Sequence, residues 1–232
     1  MFRAKADIVS APGPRREGPP ADPSDGMVLD SQKAEIRPLS QHLCLATANL
    51  HRRAEELLNI PALMFDRGSY ADTLDRFHGL YFPLEQALRQ YSRWGALGLN
   101  LRERSHVGRL YRDLVALGRE PSPEHASDVG EVSSFEHALG ALYVMEGSTL
   151  GGRIILRHLE ESEIDIPTGA RSFFGGHGPD TGVMWRSFVS SLDAFGELHP
   201  TSRTAVQRGA QRTFDAVIAW FKPFCEHMRQ RR

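Results

Sequence analysis

The sequence lacks the patterns that mark membrane, secreted or cysteine-ligated metal proteins. Cys44 and Cys225 are its only two cysteines and lie far apart in the 232 residues, which argues against a disulfide framework and excludes a CxxC site. No apolar run approaches the roughly 18 residues that a membrane helix needs. No apolar stretch follows the basic residues near Met1, as a signal peptide would require. These absences predict a cytoplasmic protein.

The sequence also lacks a clear excess of positive or negative charge. The formal net charge is −1, so no overall field favours nucleic acid or an anionic membrane, and neither is predicted as a partner. Residues 11–27 are rich in proline, glycine and charge, and they cannot bury a core. We predict a disordered tail over residues 1–36, with a docking segment as the alternative, and one domain over residues 37–232.

Apolar residues recur every three or four positions along most of the chain after Ser40, which predicts amphipathic helices. The predicted helices cover residues 40–58, 72–91, 104–117, 133–159, 183–195 and 201–228. The fourth begins at a capping-box pattern of Ser133 and Glu136, and Gly118 is expected to end the third. No stretch shows sustained strand alternation. The predicted fold class is therefore all-α, as one compact helical bundle.

Two candidate sites fail on inspection. The GGHG segment at residues 175–178 lacks both phosphate-loop patterns, so it is predicted to belong to a glycine-rich loop over 171–182, with His177 as an exposed turn residue. Di-iron bundles use Glu-x-x-His pairs. Glutamate and histidine are instead adjacent at 124–125, 136–137 and 226–227, which places them on different sides of a helix.

The fourth predicted helix contains Gly147, Gly151 and Gly152 within the segment YVMEGSTLGGR. Each glycine costs a helix about 0.5–1 kcal/mol relative to alanine, and Ser148 adds a side chain that competes for backbone hydrogen bonds. One interpretation is close packing between helices, which accounts for Gly147 and Gly151, one turn apart. The other is that backbone atoms lie against a ligand at a point where the helix must flex.

His51 lies in the first predicted helix, with Glu55 four residues later on the same face. A carboxylate in this position is the usual second partner of a metal-bound histidine, because it orients the imidazole. The alternative is an ordinary helical histidine that is stabilised by its i,i+4 neighbour.

Two motifs together resemble the heme oxygenases: LxxATxxxHxxxE at residues 43–55 and YxxEGSxLGG at residues 143–152. The similarity is greatest to the bacterial type that supplies biliverdin to bacteriophytochromes, and it covers residues 39–228. The resemblance implies one helical domain with heme between a proximal helix and a kinked distal helix. His51 would be the iron ligand, supported by Glu55. The catalytic distal segment would comprise Gly147, Ser148, Gly151 and Gly152.

The resemblance also implies the reaction, in which O2 and external electrons open heme, both substrate and cofactor, to biliverdin, carbon monoxide and ferrous iron. A ferredoxin or similar small electron-transfer protein would supply the electrons, since no flavin or NAD motif is present. Tyr143 and Phe214 would line the pocket. Arg208 and Arg212 would pair with the propionates. Ser148 and Thr149, with ordered water, would carry protons. Phe214 as a core residue and the arginines as a solvated face are the alternatives.

Two positions depart from the family pattern. Animal members have an aspartate where this chain has Ser148, so the proton route is expected to differ. Several members have a propionate-binding lysine where this chain has Cys44, so another cation must take that role or the heme is rotated. Two other functions stay open at this point: a non-catalytic heme-binding or heme-carrier protein, and a helical interaction module that has lost heme. The reaction would serve either to supply biliverdin as a phytochrome chromophore or to release iron from heme.

Overall fold

The computed structural model describes residues 37–130 and 132–231, so the predicted tail over residues 1–36 lies outside them. The described residues form eight α-helices and no strand. The helices are α1 (Leu39–Leu58), α2 (Ile60–Leu63), α3 (Arg67–Arg89), α4 (Val107–Ala116), α5 (Phe135–Glu161), α6 (Ser172–Gly175), α7 (Thr181–Leu198) and α8 (Arg203–Arg231). The all-α prediction is confirmed. None of these helices is long and apolar enough to cross a membrane.

Helix α8 packs against both α5 and α1. On the α5 side, a Cβ at Gly140 would collide with the Val206 carbonyl, and a Cβ at Gly209 would collide with the backbone of His137. Glycine is required at these two points because the helix backbones approach too closely for any side chain. This packing sets the position of the helix that carries the glycine motif.

The start of α1 is held by another helix. Its N-cap residue, Pro38, offers no side-chain cap. Asp193 of α7 instead accepts hydrogen bonds from the Ser40 backbone nitrogen at 2.7 Å and from the Ser40 hydroxyl at 2.9 Å. The end of α1 is set by Asn59, which takes a left-handed conformation with φ 34° and donates its N–H to the Glu55 carbonyl. Helix α1, which carries His51, is thus held by α7 at its start and ends at Asn59.

Helix α5 begins one residue later than the predicted cap. Ser134 is the N-cap, and its side chain accepts from the His137 backbone nitrogen at 3.2 Å. The predicted cap at Ser133 is therefore wrong, because that hydroxyl lies 3.0 Å from the His137 ring nitrogen instead. The helix then continues without a break through all three motif glycines to Glu161.

The glycine-rich stretch over residues 171–182 is not all loop. Residues 172–175 form the single turn of α6 because Asp113 of α4 accepts from the backbone nitrogens of Ser172 at 2.9 Å and Phe173 at 2.7 Å. The prediction of a plain loop is wrong at this turn, since the acceptor lies about sixty residues away in sequence. Gly118 ends α4 as predicted, with φ +76°.

Candidate active site

His51 lies on the outer face of α1 with its side chain 58% exposed. Its Nδ1 faces Glu55, whose Oε2 is 3.4 Å away, as the i,i+4 spacing predicted. The ring also meets the edge of Phe214 from α8, with centroids 5.7 Å apart. Because Nδ1 is occupied by the carboxylate, Nε2 is the nitrogen that can bind a ligand from solvent.

Tyr143 connects α5 to α1. Burial, with a smaller contribution from the nearby Cys44, raises the pKa of its phenol to about 12, and the neighbouring Thr47 hydroxyl opposes the rise. The ring also packs on Trp185 of α7, with centroids 5.8 Å apart. Cys44 and Thr47 precede His51 by two turns and one turn on α1. The face of α1 that carries His51 therefore meets α5 at Tyr143, the predicted pocket residue.

The motif glycines fall into two kinds. A Cβ at Gly151 would meet nothing within 4 Å, and one at Gly147 would meet only the Trp185 ring at 3.9 Å. A Cβ at Gly152 would lie 2.6 Å from the Phe174 carbonyl oxygen of α6. Helix packing therefore explains Gly152, and it does not explain Gly147 and Gly151, for which it had been the alternative.

The uncovered glycine face continues as an apolar surface. Gly147 and Gly151 follow Tyr143 by one and two turns of α5, and Ile154 comes next along the same stripe. Ile154 is 73% exposed, and Leu150 beside it is 41% exposed. A bare backbone flanked by exposed apolar side chains fits a flat, largely apolar ligand, because such a ligand needs both close approach and cover from water. The residues present thus fit heme.

Ser148 links the glycine face to the interior. Its hydroxyl donates to the Met145 carbonyl at 2.7 Å and lies 3.1 Å from the hydroxyl of Tyr81 on α3. Burial raises the pKa of Tyr81 to about 12, and the bond to Ser148 opposes that rise. Tyr81 is therefore a neutral phenol at physiological pH, able to donate a hydrogen bond to Ser148.

A buried ion pair lies directly behind the motif. Glu146, the residue before Gly147, pairs with Arg104 at 2.5 Å, and both side chains are almost fully buried. Arg104 also donates to the Met184 carbonyl of α7 at 3.3 Å. Burial raises the pKa of Glu146, and the two guanidinium groups of Arg104 and Arg109 oppose the rise. The pair fixes α5 against α7 next to the glycines.

Other buried polar groups adjoin this pair. The ring of His106 stacks on Tyr81, with centroids 4.9 Å apart and planes within 2°. Glu85 accepts from the backbone nitrogens of His106 at 2.6 Å and Val107 at 3.0 Å, which starts α4. Arg109 is buried, and its Nε and Nη2 have no hydrogen-bond partner among the described residues. Burial, together with the charge of Arg109, lowers the pKa of His106 to about 3.

These buried residues were missed from the sequence. The missed residues are Tyr81, Glu85, Arg104, His106, Arg109 and Glu146. The one available signal was the glutamate of the YxxEGSxLGG motif, since a charged residue within a largely apolar helix needs a partner when it is buried. The rest come from α3, α4 and the segment between them, and nothing in the local pattern marks them.

The predicted residues outside the motif have mixed positions. Phe214 lies at the site, against His51. Arg208 and Arg212 are exposed on α8. Each follows by one residue a glutamine, Gln207 or Gln211, whose side chain hydrogen-bonds to α1. Their propionate role stays a prediction. His177 is half-buried with its Nε2 enclosed, so the prediction of an exposed turn residue is wrong.

Known proteins are similar to this chain in sequence and in fold. The family model described as heme oxygenase matches residues 37–223. The chain belongs to the heme oxygenase family. It is 32% identical over 197 residues to heme oxygenase PigA of Pseudomonas aeruginosa, covering 82% of this chain and 94% of that relative. It is 33% identical over 130 residues to a heme oxygenase of Xanthomonas campestris, covering 55% of this chain and 74% of that protein.

Two solved structures have the same fold. The NO- and CO-bound heme oxygenase of Neisseria meningitidis matches with a TM-score of 0.68 at 21% identity, covering 82% of this chain and 93% of that one. The heme oxygenase of Leptospira interrogans matches with a TM-score of 0.66 at 19% identity, covering 80% of this chain and 99% of that one. The predicted family and the predicted single helical domain fold are confirmed.

Proposed function

We propose that this chain, like the named members of its family, is an enzyme that cleaves heme with O2 and external electrons. The products are biliverdin, carbon monoxide and ferrous iron. The observation that carries the proposal is the pairing at Tyr143 of two helix faces. One face presents His51, and the other presents the uncovered backbone at Gly147 and Gly151.

In this proposal His51 holds the iron through Nε2. Glu55 positions the ring from Nδ1, at 3.4 Å, and Phe214 restricts its rotation from the other side. When bound, heme would supply an iron that binds O2, with the imidazole of His51 as its protein ligand. The remaining task of the protein is to shape the side where O2 binds and to provide protons.

The glycine face of α5 would form the open side of the pocket. Without a Cβ at Gly147 or Gly151, the backbone can lie against the flat ring and still leave room for a diatomic molecule. Gly152 would support the pocket indirectly, because its close contact with the Phe174 carbonyl of α6 holds α5 in place. Arg208 and Arg212 are proposed to hold the propionates from α8.

Ser148 would hold the proton that the reaction consumes. To donate toward the pocket, its hydroxyl would turn away from the Met145 carbonyl, which accepts its hydrogen at 2.7 Å. The neutral phenol of Tyr81, 3.1 Å away, would then donate to the Ser148 oxygen and replace the proton that it gives up. This pair replaces the aspartate of animal members with a hydroxyl chain that carries no charge. The proposed proton route therefore runs through the interior behind α5.

The finer parts of the proposal concern partners. The electrons would come from a ferredoxin or a similar small electron-transfer protein, and the cytoplasm is the proposed location. The motif resemblance supports biliverdin supply to a bacteriophytochrome, with iron release as the alternative purpose. Co-expression with a bacteriophytochrome apoprotein tests this: red absorbance of a bound bilin is expected, and an apoprotein left without a bilin would contradict it.

Reconstitution with hemin tests the enzyme directly. The protein is loaded with hemin, given ascorbate or a reductase in air, and followed by absorbance. Loss of the Soret band with growth of a biliverdin band is expected. A Soret band that persists under these conditions would contradict the enzyme and identify a heme carrier. No Soret shift on adding hemin would contradict heme binding and leave an interaction module.

A further inference from the structure

The GGHG segment has a position that the proposed function does not yet use. Gly176 and Gly178 have φ near +59° and +58°, so the chain turns sharply on both sides of His177. A Cβ at Gly176 would lie 3.6 Å from the Thr149 side chain of α5. The His177 backbone nitrogen donates to Thr181 at 3.1 Å. The turn is thereby held against α5 beside Ser148.

The turn directs the His177 ring toward the buried polar groups. Its Nε2 is enclosed and has no hydrogen-bond partner within residues 37–130 and 132–231, while the residue as a whole is half-buried. Burial lowers the pKa of His177, the charges of Arg109 and Arg104 lower it further, and Asp180 opposes them. The ring of His106 also lies within electrostatic range. His177 is therefore neutral at pH 7 and spans from solvent to the interior.

Unpartnered polar atoms continue inward from His177. They include Nε and Nη2 of Arg109 and Oε1 of Glu146, all of them buried. The ring nitrogens of His106 make no hydrogen bond of normal geometry either, although the carbonyls of Arg104 and Met145 lie close enough to favour its protonated form. Buried polar atoms of this kind are ordinarily satisfied by internal water. Arg109 is within electrostatic range of both His177 and Tyr81, so these unpartnered groups lie between the two residues.

We propose that His177 is the solvent end of the proton path to Ser148, a positioning residue that acts through the buried groups around Arg109 and Tyr81. This inference rests on the proposed function. In each transfer, one ring nitrogen takes a proton from solvent and Nε2 releases one inward, after which the neutral ring returns to its starting tautomer. The buried groups orient the water that carries the proton on to the Tyr81 and Ser148 hydroxyls, which lie 3.1 Å apart.

Replacement of the ring with later rescue tests this path. His177→Gly is expected to bind hemin with the affinity of the wild type but to slow heme degradation by at least about tenfold, the lower part of the range for lost acid–base assistance. Added imidazole should restore the rate. The matched control is His199→Gly, at the exposed turn after α7, which is expected to keep the wild-type rate with and without imidazole.

A second variant separates proton transfer from support of the turn. His177→Gln keeps a hydrogen-bonding side chain that cannot exchange protons, so it is expected to be as slow as His177→Gly. A full rate in His177→Gln would contradict the proposal, as would a slow His177→Gly enzyme that imidazole fails to rescue. A larger solvent isotope effect in His177→Gly than in the wild type is also expected, and an unchanged effect would count against it.

Side-chain nitrogen NMR of the heme-free protein gives an independent measurement. His177 is expected to titrate below its ordinary value of about 6.5, and an ordinary titration would place the ring in solvent and overturn the inference. A wild-type protein that binds heme without degrading it would contradict the proposed function. A wild-type protein that degrades heme, beside a His177→Gly variant of equal rate, would contradict only this inference.

Discussion

Alanine at Gly151 and at Gly152 should change stability in opposite directions, although the two positions are neighbours on one helix. In a helix, alanine is favoured over glycine by about 0.5–1 kcal/mol. A methyl group at position 151 would meet nothing within 4 Å, so Gly151→Ala should keep this gain. At position 152 it would lie 2.6 Å from the Phe174 carbonyl, which is backbone and cannot move aside. The strain, about 1–3 kcal/mol, should exceed the gain.

Urea unfolding of the heme-free variants measures both effects as shifts in the midpoint at constant slope. Hemin titration then separates stability from function: Gly151→Ala is expected to be the more stable protein and yet the weaker heme binder, because its methyl group projects into the proposed pocket. Equal stabilisation by both variants would refute the assignment of Gly152 to packing. A Gly151→Ala protein that binds and degrades heme like the wild type would refute the assignment of the open face to the ligand.

Three further predictions concern the residues behind and beside the pocket. His106 stays neutral in the folded protein because burial lowers its pKa to about 3. As the pH is lowered below 6.5, the unfolding free energy should therefore fall by up to about 1.4 kcal/mol per pH unit. In urea unfolding, His106→Gln should reduce this dependence on pH. Glu146→Ala leaves the buried Arg104 without its carboxylate, and the free energy of thermal unfolding should fall by about 3–5 kcal/mol. Adding Arg104→Met to this variant should restore part of that loss. A double variant whose loss equals the sum of the two single losses would contradict the pairing. Asp193→Ala removes the cap of α1 and should cost about 1–2 kcal/mol, with faster hydrogen exchange at Ser40, whereas unchanged exchange there would contradict it.

The helices and the central motif could be predicted from the sequence because both depend on local pattern. The apolar spacing over residues 40–58 gave α1 within one residue, and Gly118 ended α4 as expected. The i,i+4 pairing of His51 with Glu55 follows from helix geometry alone, and the structure has it. These features need no knowledge of what packs against the helix.

Features that depend on distant partners could not be predicted. The turn of α6 exists because Asp113 accepts from its first residues, across about sixty positions. The three motif glycines look alike in sequence, and only Phe174 separates Gly152 from the other two. His177 follows a pattern that is typical of exposed turns, yet its Nε2 is enclosed because the turn packs on Thr149 of α5.

The central claim is that His51 holds the iron of a heme that the protein degrades, and the most direct test compares His51→Ala with His199→Ala. His199 is an exposed histidine at the end of α7, outside the helix faces assigned to the pocket, and serves as the control. Each protein is titrated with hemin and then given reductant in air, while its absorbance spectrum is recorded. We predict that His199→Ala keeps the wild-type Soret band and forms biliverdin, whereas His51→Ala loses the histidine-ligated spectrum and forms none. A His51→Ala protein with an unchanged spectrum and unchanged biliverdin formation would contradict the account.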